Sequence, residues 1–75
     1  MKTFYIAETQ HVNDFTKATK IEAKNLRGAK LAARKRRVFL GTCLSIGIST
    51  DENGFINDLI SYTDINGEWL DCNSF

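Results

Sequence analysis

Two Asn-Gly dipeptides, Asn53-Gly54 and Asn66-Gly67, divide the C-terminal part of the chain. Asn-Gly supplies the positive φ angles that hairpin turns require, so the segments on either side of each turn pair antiparallel. Ahead of the first turn, Thr42, Leu44, Ile46 and Ile48 alternate with Cys43, Ser45, Gly47 and Ser49. A period of two describes a half-buried strand. Phe55 to Thr63 follows as the next strand, and Glu68 to Cys72, around Trp69 and Leu70, as the last. The DENG run at 51–54 and the second Asn-Gly are the connecting turns.

The N-terminal half has a different pattern. Met1 to Gln10 carries the β-prone cluster Thr3, Phe4, Tyr5, Ile6 and reads as a strand bounded by polar residues from Gln10 to Asp14. Thr19 to Ala23 reads as a second short strand, with Thr19, Ile21 and Ala23 on one face and Lys20 and Glu22 on the other; Phe15 to Ala18 connects the two. Asn25 is a good helix N-cap, because its side chain can accept from amides of the first turn. The helix is expected from Leu26 to Arg36 or Arg37, ending in cations that suit the negative end of its dipole. Gly28 costs this helix about 1 kcal/mol relative to Ala, which points to close packing there. Leu26, Ala29, Ala32 and Ala33 form the seam that packs on the sheet. Their small size brings the helix axis close. The expected fold is α+β, in the order β-β-α-β-β-β: a curved antiparallel sheet of about five strands with one helix on one face.

At 75 residues, 43% hydrophobic and 25% charged, the chain has an ordinary globular composition and the length of a single domain, residues 1–75. A chain this size buries only about 60% of its unfolded surface. It has little material for a deep catalytic cleft, so a binding role is favoured. The opening MKTFYIAETQ does not read as a signal peptide, and no run reaches the length of a membrane span, so a cytoplasmic protein is expected. Cys43 and Cys72 do not make a disulfide framework and read as small buried thiols.

The charges are sorted along the chain. From Lys17 to Arg37 there are nine basic residues and one acid, Glu22, whereas beyond Arg37 there are six acids and no Lys or Arg. The formal net charge of +1 conceals this division. On a helix, Arg27, Lys30, Arg34 and Arg37 fall within an arc of roughly 80°. Stacked like charges repel, and a solvated helix face normally mixes signs. This helix contains no acid, so the sequence points to a surface built for an anionic partner. Lys35 lies farther round, Lys24 precedes the helix, and Lys20 belongs to the adjoining strand. With no phosphate loop and no helix-turn-helix pair, contact with DNA would be to phosphates without base readout.

Catalysis finds no support. His11 is the sole histidine and sits in a polar stretch without a nucleophile beside it. Two cysteines and one distant histidine do not make a metal site. Asp51-Glu52 and Asp71 read as turn and surface acids, and no cofactor is implied. Tyr5, Tyr62 and Trp69 would be the candidates for base stacking, but Tyr62 and Trp69 fit the sheet core or its edge better.

The ordered set Met1-Lys2, Tyr5-Ile6, Glu8, Gln10, Asn13, then Ile21-Glu22-Ala23, Leu26, Ala29-Lys30, Ala33, Phe39, Gly41-Thr42, and finally Tyr62, Trp69 and Asp71-Cys72 resembles a known family. It is a small phage-encoded anti-CRISPR family that inhibits the type I-F Csy (Cascade) surveillance complex. The resemblance implies a five-stranded antiparallel sheet with one helix, and a non-enzymatic inhibitor working in the host bacterial cytoplasm. It implies binding to Cas7-type backbone subunits that obstructs hybridisation of target DNA to the guide. It also implies nonspecific attraction of double-stranded DNA through basic helix residues. Lys30 and Lys35 match basic sites of the family, whereas Leu31 stands where the family carries another basic residue. Arg27, Arg34 and Arg37 are additional charges that could replace it. Tyr5 and Gln10 are candidate partner contacts, and the stretch from Ile46 to Ser61 is longer than the family pattern. The competing reading is a small stand-alone nucleic-acid-binding protein using the same basic residues: Lys20, Lys24, Arg27, Lys30, Arg34, Lys35 and Arg37. Under either reading, Arg27, Lys30, Arg34 and Arg37 are expected to face solvent together, away from the Leu26, Ala29, Ala33 seam.

Overall fold

In the computed structural model, residues 1–9, 17–36, 42–63 and 67–72 are described. The elements follow the expected order: β1 (Lys2–Thr9), β2 (Thr19–Ala23), α1 (Leu26–Lys35), β3 (Cys43–Thr50), β4 (Ile56–Thr63) and β5 (Trp69–Asp71). They form a five-stranded antiparallel sheet in the order β2-β1-β3-β4-β5. Thus β3 is central between β1 and β4, and β2 and β5 are the edges.

Helix α1 starts where the sequence indicates. Asn25 is in extended conformation and its Oδ1 accepts from the Gly28 amide at 2.9 Å. The helix ends one residue before the expected Arg36, which forms the C-cap; its amide donates to Ala32 O and Ala33 O at 3.1 and 3.2 Å. Ala29 and Ala33 are buried against Phe4, Ile6, Ile21, Ala23, Leu44, Ile46 and Ile60, with Leu26, Ala32 and Trp69 packed at the margin. Gly28 comes close to β2, as its cost suggested: a Cβ built there would sit 3.4 Å from Ala23 Cβ.

Strand alternation assigns the two faces of the sheet. On the helix side, Ile6, Ile46, Ser61 and Asp71 follow one another across β1, β3, β4 and β5. On the opposite side run two rows. One is Lys20, Tyr5, Gly47, Leu59, and the other is Ala7, Ser45, Tyr62, Leu70.

Three local expectations are corrected. The alternation in β3 breaks: Cys43 and Gly47 are buried and Ile48 is 45% exposed. A bulge lies beside Gly47. Ile46 pairs with Ser61 but Gly47 pairs with Leu59, so Ile60 is an extra residue in β4, and Asp58 nearby takes a φ of 54°. Bulges bend a strand and increase its twist. At the hairpin turn, only Gly54 of the Asn53-Gly54 pair adopts a positive φ, 85°. The turn is instead organised by Asp51, whose Oδ1 accepts from the amides of Asn53 and Phe55 at 2.9 and 3.0 Å and whose carbonyl accepts from Gly54. A turn followed by a left-handed glycine is the usual solution for a three-residue hairpin loop. Three strand boundaries also differ: β1 begins at Lys2, β4 begins at Ile56, and β5 is Trp69–Asp71. Gln10, His11, Arg37, Phe39, Gly41 and Asn66 lie outside the described residues.

The curved hairpin returns to the N-terminal half. The Ala18 amide donates to Gly54 O at 2.8 Å, and Lys17 forms an isolated bridge with Phe55.

Candidate partner-binding surface

Helix α1 rests on the sheet through alanines, so its opposite side faces solvent. Arg27, Leu31, Arg34 and Lys35 are exposed there, followed by Arg36 at the cap, with Leu31 57% exposed. No acid lies within α1. This crest is cationic over its whole described length and carries one apolar side chain in its middle.

Lys30 departs from the expectation. It lies at the flank of the helix facing β5, with its side chain 21% exposed and its Nζ 2.9 Å from Asp71 Oδ1. The same ammonium sits 5.6 Å from the centroid of the Trp69 ring. Asp71 Oδ1 also accepts from Ser61 Oγ at 2.6 Å. The Ser61 hydroxyl, then the Lys30 ammonium, hold the Asp71 carboxyl below the ordinary carboxylate range. Arg34, one turn further along, reaches the segment just before that strand, its Nη2 donating to Gly67 O at 3.1 Å.

The other basic residues divide. Lys24 is exposed just before the helix cap. Lys20 is exposed but lies opposite Tyr5 in the register, on the sheet face turned away from α1. The basic residues therefore do not form one patch. Arg27, Arg34, Lys35 and Arg36 crown the helix, Lys30 is tied to β5, and Lys20 flanks half-buried Tyr5 on the open sheet face. Arg37 and Gln10 cannot be placed, since both lie outside the described residues. Trp69 packs against the core on the helix side, whereas half-buried Tyr62 faces the other way beside Leu70.

The Lys30–Asp71–Ser61 group was missed at the level of sequence, where Asp71 read as a plain surface acid. One signal was available: six of the nine acids lie beyond Arg37 and none lies in the helix, so the strands after α1 were the richest source of counter-charge for it. Among the described residues, no group of three or more His, Cys, Asp or Glu is placed to hold a metal ion. Both cysteines are present as thiols, Cys43 buried and Cys72 half-buried.

Comparison with known proteins separates sequence from structure. No protein-family profile matches the chain, and no curated protein matches it. Among solved structures, AcrIF9 superposes with a TM-score of 0.77 and 34% identity, over 97% of this chain and 90% of that one. The chain belongs to the AcrIF9 family of anti-CRISPR proteins. The resemblance read from spaced residues and the architecture read from hydrophobic pattern thus converge on one family. The alignment covers 97% of this chain.

Proposed function

We propose that the protein inhibits a type I-F CRISPR surveillance complex by binding its Cas7-type backbone subunits, where it obstructs pairing of target DNA with the guide. In the same reading, the basic helix crest draws double-stranded DNA to the inhibited complex without reading its sequence. The observation that carries this is the 34% identity to AcrIF9 over 97% of the chain at a TM-score of 0.77. The crest of Arg27, Arg34, Lys35 and Arg36 adds physical support, because closely spaced cations without acids favour a polyanion. Tyr5, with Lys20 beside it, is the described candidate for contact with the backbone subunits. The protein acts as a stoichiometric inhibitor and not as an enzyme, in the cytoplasm of the bacterium that holds the complex.

The test is titration of the protein against a purified type I-F surveillance complex, with target-duplex binding as the readout. Target binding is expected to fall in proportion to added protein and stop at saturation of a fixed number of sites. If the protein leaves target binding untouched yet binds free duplex DNA by itself, the stand-alone nucleic-acid-binding reading replaces this one.

A further inference from the structure

Strand β5 has a weak hold on the sheet. It is three residues long, pairs only with β4, and lies at an edge. A strand of that length contributes few ladder bonds, to which the Cys72 amide adds one to Ile60 O at 2.9 Å and Trp69 its packing on the core, so a further contact helps to fix its position. Helix α1 supplies it. Two cations one helical turn apart reach across to the start and the body of the strand. Arg34 donates to the carbonyl of Gly67 at 3.1 Å, just before β5. Lys30 meets Asp71 at 2.9 Å and lies over the Trp69 ring at 5.6 Å. Ser61 of β4 completes the arrangement, donating to Asp71 Oδ1 at 2.6 Å and contacting Leu70 O at 3.3 Å.

We infer that Lys30 is a positioning residue that latches β5 to the helix, and not one of the cations that meet the anionic partner. Resting on the proposed inhibitor function, this divides the basic helix in two. Arg27 and Lys35 remain available on the crest, while Lys30 is engaged from the flank. The latch also acts on the opposite face. Trp69 and Asp71 point toward the helix, so Leu70 between them points to the open face, where it pairs with Tyr62. Holding β5 against α1 therefore fixes Leu70 and Tyr62 on the sheet surface that also carries Tyr5. A phosphate contact by Lys30 would require it to leave Asp71 and Trp69 together.

The experiment exchanges the two charges. The variants are Lys30→Glu, Asp71→Lys, the double exchange, and Lys30→Met, which keeps an unbranched apolar stem beside Trp69. Trp69 is the chain's single tryptophan, so its emission reports the latch directly in the isolated protein. Lys30→Glu is expected to red-shift that emission and lower the melting temperature. The double exchange should recover part of both, because the opposite charges again span the gap, although the cation over Trp69 is not replaced. Ser61 keeps Leu70 O as an acceptor when Asp71 is replaced. In duplex binding by the inhibited complex, Lys30→Met should leave the slope of log affinity against log salt unchanged, whereas Arg27→Met should reduce it by about 0.9, the value of one lost phosphate contact. Unchanged emission and melting in Lys30→Glu would overturn the latch, and so would a double exchange that recovers no part of either. A slope in Lys30→Met that falls as far as in Arg27→Met would return Lys30 to the contact surface. The fluorescence and melting arms need no surveillance complex. A protein that failed to bind the complex would refute the proposed function and leave the latch result standing.

Discussion

Gly47 sits where β3 leaves the straight course of the sheet, and the space a side chain would need is already filled. A Cβ built there would overlap Ile56 Cγ2 and come within 3.0 Å of Asn57 O. The backbone oxygen cannot easily retreat, because Ile56 and Asn57 are held in the ladder opposite Thr50 and Ser49. Gly47→Ala is therefore expected to destabilise the fold by about 1–3 kcal/mol, the usual cost of overpacking, read from the urea unfolding midpoint. Ile56→Ala removes the nearest obstacle, so the double variant should lose less than the sum of the singles. Asp71 makes a second residue-level case. Its carboxyl is held below the ordinary range, first by Ser61 and then by Lys30, so between the folded and unfolded values the unfolded chain binds more protons. The contribution is then present above the ordinary carboxylate range and is lost as pH falls through the folded value. With the side chain 58% exposed, solvent screening keeps the effect small. Asp71→Asn should flatten this part of the acid limb in a plot of stability against pH, leaving the other carboxylates' share in place. An acid limb as steep as that of the parent protein would show that the Lys30 pair has no thermodynamic weight.

Elements differed in how far their residues announced them. The start of α1 was legible because a cap is a local device: Asn25 accepts from Gly28 N within its own turn, and the alanine seam repeats at helical spacing. Asn25→Ala should accordingly cost about 1 kcal/mol, measured by thermal melting. A loss near zero would mean that tertiary packing alone fixes the helix start. The β3–β4 hairpin was legible in kind but not in detail. Thr42, Leu44, Ile46 and Ile48 alternate in sequence, yet Ile48 is 45% exposed, and β4 carries an extra residue, Ile60, beside this stretch. A bulge is a relation between two strands, and neither strand's own pattern encodes it. The Asn53-Gly54 turn was misjudged for a similar reason. Asp51 organises the loop through its side chain, leaving only the glycine in the left-handed region. The Lys30–Asp71 pair was less legible still, since it needs β5 to be delivered to the helix flank by the whole sheet topology.

For the molecule as a whole, the sheet separates two surfaces that the sequence had run together. The cationic crest of Arg27, Arg34, Lys35 and Arg36 lies on the helix side, while Tyr5, Lys20, Tyr62 and Leu70 lie on the other. Charge sorting along the chain becomes sorting in space because α1 is laid across the sheet and carries its basic residues outward. The acidic C-terminal strands supply Asp71, which pairs with Lys30 of the helix. An inhibitor built this way could hold a protein complex with one face and attract duplex DNA with the other, so the two activities should separate by mutation. Arg27→Met with Lys35→Met is expected to keep binding to the surveillance complex and to lower the salt slope of duplex binding by about 1.8, for two phosphate contacts. Tyr5→Ala should do the reverse: weaker binding to the complex, by about 1–3 kcal/mol if the ring is a buried anchor of that interface, and an unchanged salt slope at saturating protein. Both are measured by titration at several salt concentrations, with a melting curve for each variant to confirm folding. If the crest variant loses the complex, or the Tyr5 variant changes the salt slope, one surface serves both partners and the division by the sheet has no functional meaning.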